Sequence, residues 1–185
     1  MELYMNERVF HAHADRLRSP DRIAMLDLDA VVQLSTDRIK NASVLDVGTG
    51  TALFAEAFFK AGHSVAGIDI NESMLDAAVK VLPLCDFKTG AAESIPYPDK
   101  SFDIVFFGHV LHETDDIVLA LREAKRVASK RIVILEWPYV EEPMGPPFGH
   151  RLSPEKVLSC AVDGGIPEKV EVVQMKHMVV YRIDL

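Results

Sequence analysis

Cysteine is scarce in this sequence: Cys85 and Cys160 are the only two, far apart and without a neighbouring partner. Disulfide frameworks and zinc knuckles need closely spaced sets, so neither is indicated and both thiols are expected in the core. Positive charge is also short, with 20 Lys+Arg against 28 Asp+Glu, a formal net charge of −8 over 185 residues. No lysine/arginine stripe offers the attraction to phosphate that supplies most non-specific nucleic-acid affinity, which argues against a nucleic-acid partner. No apolar run approaches the roughly 20 residues needed to cross a bilayer. The opening Met1–Arg8 lacks a basic region followed by an apolar one, so no signal peptide is read there. The expectation is a cytoplasmic chain with no membrane partner, and its length suits a single domain.

From residue 43 onward, short apolar runs alternate with helical periodicity, the mark of a parallel α/β sheet. The runs are Ser43–Val47, Ser64–Ile68, Phe102–Phe107 and Arg131–Leu135, nearly continuous in apolar residues as strands covered on both faces should be. Leu84–Lys88 is a shorter, more polar candidate. Helices are predicted over Thr51–Ala61, Glu72–Val81 and Thr114–Val127. Asn71 and Thr114–Asp116 supply N-terminal acceptors, and Gly62 supplies a stop. Residues 137–150 hold four prolines and two glycines and read as an irregular loop. Ser153-Pro154-Glu155 then starts a helix to about Val162. Lys169–Ile183 alternates in two halves, as an antiparallel pair closing one sheet edge would. Upstream, helices are predicted over residues 5–18 and 21–35, separated by Ser19-Pro20-Asp21.

Chemistry concentrates in Val44-Leu-Asp46-Val-Gly48-Thr49-Gly50-Thr-Ala52-Leu53. A buried strand reaches an acid, passes a glycine turn and opens a helix, which brings backbone close to a nucleotide-like ligand at the sheet's carboxyl edge. The dinucleotide fingerprint needs glycine where Leu53 stands, so a nicotinamide oxidoreductase is disfavoured. Taken alone, Gly48-Thr49-Gly50 is a weak signal, the alternative being just a tight strand-to-helix turn. Asp69, closing the next predicted strand, is placed to accept from both hydroxyls of a ribose; the alternative is a cap for the helix beginning at Glu72.

These segments resemble the class I S-adenosylmethionine-dependent methyltransferases, specifically the small-molecule group called type 11 or ubiquinone-biosynthesis-like. The matching motifs are Leu45–Thr51, Gly67–Leu75, Gly90–Asp103 and Arg122–Val127, in family order. The resemblance implies a Rossmann-like, doubly wound α/β fold: a seven-stranded mixed sheet with helices on both faces, its last strand antiparallel, under an N-terminal helical cap. It implies one domain, with a lid over residues 1–40, a cofactor-binding core over 41–136, an acceptor-site loop over 137–150 and a C-terminal helix and hairpin over 151–185. It also implies S-adenosyl-L-methionine as cofactor. Gly48, Thr49 and Gly50 would face its methionine part, Asp46 its amino group and Asp69 its ribose. Ile70 and Met74 would flank the adenine, unless they only pack helix against sheet, and Ala91, Ala92 and Glu93 would meet its edge. Gly108 and His109 would lie under the sulfonium and amino acid.

The sequence departs from the family pattern at three places. Ala52 stands where a third glycine is usual, tolerable if the backbone there is helical. Ala91 replaces an acid that accepts from the adenine amino group, and Ala128-Ser129-Lys130 replaces a Pro-Gly-Gly turn. No catalytic residue is evident; His109 and His112 are general-base candidates because they follow the fourth core strand, and either could instead line the pocket or cap the next helix. His11, His13 and Asp15 do not make a metal site, since residues two apart on a helix diverge. Tyr4, Phe10, Trp137, Tyr139 and Phe148 suit a planar or lipophilic small-molecule acceptor. The leading expectation is a methyltransferase acting on such an acceptor, as a monomer or homodimer. The alternative is a methyltransferase-like domain that binds cofactor without turnover.

Overall fold

Strand order explains where a ligand can bind. The computed structural model describes residues 14–166 and 169–185. It has a seven-stranded sheet formed by β1 (Ser43–Val47), β2 (Ser64–Asp69), β3 (Asp86–Thr89), β4 (Phe102–Gly108), β5 (Ala128–Glu136), β6 (Glu171–Gln174) and β7 (Val179–Asp184). Their order is β3-β2-β1-β4-β5-β7-β6, with β1 to β5 parallel and β7 antiparallel to both of its neighbours. Chain progression reverses between β1 and β4, which is where open α/β sheets form a crevice beyond the strands' carboxyl ends.

Side-chain alternation divides the core in two. Leu45, Val47, Val105, Phe107, Ile132 and Ile134 face α6 (Ile117–Val127) and α7 (Pro154–Asp163), whereas Val44, Ile104, Phe106, Val133 and Leu135 face the layer of α3 (Leu28–Thr36), α4 (Leu53–Lys60) and α5 (Glu72–Val81). Phe54 and Phe58 of α4 each place a ring 5.1 Å from Phe106. The same alternation puts Asp46 on the α4 face, where its carboxylate is buried.

Most predicted elements appear with shifted ends. α4 starts at Leu53 because Ala52 is left-handed, φ 59° and ψ 34°, so the condition under which alanine was expected to fit, a helical backbone, is not met. α6 starts at Ile117, with Asp116 rather than Thr114 as cap, accepting from the Leu119 amide at 3.0 Å. β3 lies two residues late and leaves Leu84 95% exposed. The predicted 21–35 helix is two, α2 (Pro20–Leu26) and α3, broken at left-handed Asp27, and Pro20 opens α2 rather than separating helices. Of the predicted 5–18 helix, α1 (Ala14–Leu17) lies within the described residues. Cys160 is buried, whereas Cys85 is half-buried. Among the described residues, no helix is long and apolar enough to cross a membrane.

Candidate active site

A cavity of about 1040 Å³ opens at the carboxyl ends of β1, β2 and β4, beneath α2 and the 137–150 loop. Gly48 and Gly50 on its wall have φ of +66° and +52°, and a Cβ on Gly48 would stand 2.4 Å from the Val110 side chain. This turn therefore needs glycine for both its conformation and its close approach to the β4 end. The main chain of Thr49 also bonds to Ile68 O at 2.9 Å.

Among the predicted cofactor residues, Gly48, Gly50, Asp69, Ile70, Met74, Ala91, Ala92, Glu93, Gly108 and His109 share this cavity, and Asp46 and Thr49 do not line it. Asp46 Oδ2 accepts from the Thr49 hydroxyl (2.8 Å) and the Ala55 amide (3.2 Å), bracing the turn against α4 from behind. Burial pushes its carboxyl up to about 7, against the lowering effect of those two bonds. Asp69 ends β2 with Oδ2 accepting from Gly50 N (2.8 Å) and Oδ1 from Asn71 N (2.9 Å). Burial raises its pKa, and the backbone bonds partly offset this. The cap of α5 is Asn71, not Asp69. Ile70 is 56% exposed on the cavity wall, so its side chain is not spent on helix-to-sheet packing, while Met74 is buried and lines the cavity too. Glu93 Oε1 accepts from the amides of Asp115 (2.9 Å) and Asp116 (3.3 Å), tying its turn to the start of α6.

The two histidines differ sharply. His109 is buried and left-handed (φ 60°), stacked on Trp137 at 5.0 Å and 24°. Its Nδ1 lies 3.3 Å from Arg22 Nη2, and its Nε2 lies 3.1 Å from the Met178 sulfur. Burial, then the charges of Arg22 and His112, hold its pKa well below the usual histidine value. His112, in the 3-10 turn Leu111–Glu113, places Nδ1 2.8 and 3.1 Å from the two carboxylate oxygens of buried Glu136. Burial would lower its pKa, but the charge and hydrogen bond of Glu136, with Glu113, outweigh burial and Arg151 and raise it.

Arginines organise the entrance. Arg18 donates to Thr51 O from Nε (3.2 Å) and Nη2 (3.0 Å) and to Glu56 (2.8 Å), fastening the N-terminal helices onto the glycine turn. Arg22 of α2 lines the cavity, its Nε without a hydrogen-bond partner among the described residues. Buried Arg151 donates to the carbonyls of Pro138 (3.0 Å), Pro146 (3.1 Å), Glu142 (3.4 Å) and Met144, drawing the proline-rich loop into one shape. Trp137 lines the cavity as expected, but Tyr139 and Phe148 do not: they pair with each other at 4.7 Å, and Met144, Pro146 and Pro147 take the wall instead. Tyr4, Phe10, His11 and His13, and the side chain of Asp15, lie outside the described residues. Sequence reasoning missed Arg22, Glu136 and Arg151. Only Glu136 carries a readable signal, an acid closing an apolar strand.

Comparison with known proteins addresses the family and the fold. Residues 45–134 match the family model described as a methyltransferase domain. The chain is 34% identical over 157 residues to a Bartonella quintana ubiquinone/menaquinone biosynthesis C-methyltransferase, UbiE, covering 76% of this chain and 60% of that one. It is 30% identical over 156 residues to a Bacillus subtilis protein named uncharacterized methyltransferase YcgJ, covering 80% and 61%. The chain thus spans about 60% of the length of these curated relatives. A crystal structure of a SAM-dependent methyltransferase from Aquifex aeolicus superposes with a TM-score of 0.80 at 27% identity, over 92% of this chain and 96% of that one. Motif order, family model and fold together place the chain among the class I S-adenosylmethionine-dependent methyltransferases.

Proposed function

We propose that the chain transfers a methyl group from S-adenosylmethionine to a small, planar, largely apolar acceptor. The observation that carries this is the grouping around Asp69. Its carboxylate, the glycine turn, exposed Ile70 and the Ala91–Glu93 turn meet on one cavity wall. Those residues fit a nucleoside: a carboxylate can accept from a diol, and an apolar side chain already in the cavity can lie on a flat base. S-adenosylmethionine supplies an electrophilic methyl group on sulfur whose departure needs no protonation, so the chain's own contribution is alignment and the exclusion of water. In this reading α2 and the 137–150 loop hold the acceptor beneath Trp137. Resemblance to a relative named for ubiquinone/menaquinone C-methylation supports an aromatic, quinol-like acceptor.

Titration calorimetry with S-adenosylmethionine and S-adenosylhomocysteine tests the reading. Both should give heat with the wild-type chain and lose it in Asp69→Ala, and absence of heat with both ligands in the wild type would sink the proposal. Binding without label transfer from methyl-labelled cofactor to any metabolite of a cell extract would instead favour the cofactor-binding domain without turnover, toward which the missing acid at Ala91 leans.

A further inference from the structure

Three histidines line the cavity, His109, His112 and His150; of the two at the β4 end only His112 retains a lone pair for chemistry, and only His112 is oriented by a buried carboxylate. A guanidinium can only donate, so Nδ1 of His109 accepts from Arg22 and the ring proton sits on Nε2, facing the Met178 sulfur. Both nitrogens of His109 are engaged. A carboxylate can only accept, so His112 carries its proton on Nδ1, against Glu136 at 2.8 and 3.1 Å. Glu136 is itself held by the amides of His112 (3.1 Å) and Trp137 (3.3 Å). The remaining nitrogen, Nε2 of His112, has Glu113 at 3.8 Å, beyond hydrogen-bond length, and His112 lines the cavity.

We propose that His112, oriented by Glu136, takes the proton of the methyl acceptor, and that the acceptor is therefore an O–H acid of phenol or enol type. This rests on the methyl-transfer reading above. The acceptor's electron pair, on oxygen or on the conjugated carbon, forms the bond to the methyl carbon as the carbon–sulfur bond breaks onto sulfur. The acceptor's proton passes to Nε2, and the imidazolium so formed is balanced by Glu136 before it releases the proton to solvent. His112 is the catalytic residue and Glu136 a positioning residue.

The surroundings favour this acceptor class. The charged and titratable groups facing His112 are Glu136 of β5, Glu113 of its own turn, Arg151 after the proline-rich loop and His109 at the β4 end. Their sum raises its pKa, which brings a base toward the strength a phenol or enol requires. Half-buried Arg22, its Nε without a partner among the described residues, gives the same cavity a cation for the developing oxyanion. An acceptor without an acidic proton would use neither group.

Nitrogen NMR of histidine-labelled full-length protein tests the dyad without an acceptor. His112 should show the Nδ1–H tautomer and His109 the Nε2–H tautomer, and Glu136→Gln should lower the His112 titration midpoint. An Nε2–H tautomer at His112, or a midpoint unmoved by the substitution, overturns the proposal. Turnover is read with methyl-labelled S-adenosylmethionine and a cell-extract metabolite pool, with 1,4-naphthoquinol as a defined phenolic probe. Wild-type labelling should rise with pH through the His112 midpoint. His112→Gln should lose about 10²–10⁴-fold in rate and the rising limb, with cofactor heat of binding retained. Wild-type rates in His112→Gln, or label confined to products with no phenolic or enolic oxygen, overturn it. Failure of cofactor to bind at all is a separate result that removes the methyl-transfer reading itself.

Discussion

Arg22 Nη2 of α2 stands 3.3 Å from Nδ1 of His109, whose ring is stacked on Trp137. This contact joins α2 to the carboxyl end of β4 and, with burial, disfavours the imidazolium. Because Trp137 is the sole tryptophan, its emission reports that charge directly, an imidazolium in contact being a quencher. Burial first, then Arg22, depresses the His109 pKa. Wild-type emission should therefore show no inflection near the ordinary histidine value of about 6.5, only one at lower pH. Arg22→Gln removes the repelling charge and should move that inflection upward. The linked stability effect has a definite sign: the unfolded chain binds a proton that the fold resists, so stability falls as pH drops below about 6.5. A wild-type inflection at the ordinary value would contradict the clamp.

Ala52 predicts an unusual response to glycine. At a right-handed helical position Ala→Gly costs roughly 0.5–1 kcal/mol, and the fully buried methyl of Ala52 would add about 0.8 kcal/mol. At φ 59° the left-handed penalty of roughly 1–2 kcal/mol is relieved instead. Ala52→Gly should melt close to wild type, whereas Ala52→Val, branched at a left-handed buried site, should lose more than about 2 kcal/mol. Thermal unfolding of the two variants side by side decides the matter.

What was legible follows from burial. β1, β2, β4 and β5 are covered on both faces and so appear as unbroken apolar runs, but β3 is a half-exposed edge strand, and its apolar signal was displaced onto exposed Leu84. The kink at Asp27 has neither proline nor glycine to announce it, since aspartate enters the left-handed region at low cost. The cavity wall around Asp69, to which we assign the cofactor, was legible because Gly48, Gly50 and Asp69 lie at strand ends within short stretches of chain. The groups around the two histidines and the proline-rich loop were not: Arg22, Glu136 and Arg151 come to them only through tertiary packing. Glu136 did offer the same signal as Asp69, an acid at the end of an apolar strand, masked by the following Trp137 and Pro138.

Arg151 should prove to be a loop organiser that lysine cannot replace. Its fork reaches the carbonyls of Pro138, Glu142, Met144 and Pro146 at once, and a single ammonium cannot satisfy so dispersed a set. Arg151→Lys should release the 138–147 segment, shift Trp137 emission toward that of a solvated indole and raise protease sensitivity there. Cofactor affinity should be nearly unchanged, because Asp69 and the glycine turn are held by separate bonds. Under the proposed function, KM for the acceptor rises while the calorimetric constant for S-adenosylmethionine does not. Equal losses of both would show that the loop and the cavity wall around Asp69 are one unit.

Asp46 tests whether the acid behind the glycine turn acts through charge or through shape. Thr49 and Ala55 both donate to the same oxygen, Oδ2, so the amide oxygen of asparagine can accept both. Burial pushes the carboxyl up to about 7 in the fold, against about 3.9 in an unfolded chain. Between those values the fold holds a proton that the unfolded chain has released, so this group's contribution to stability falls as pH rises. Asp46→Asn has no charge to bury. Its melting temperature should match wild type near pH 4 and exceed it at pH 8, by an amount corresponding to about 4 kcal/mol. If Asp46 serves the turn by shape, the variant also keeps its affinity for S-adenosylmethionine. If the carboxylate itself holds the cofactor's amino group, affinity collapses while the pH-dependent gain in stability remains, so melting and calorimetry on one variant separate the two roles.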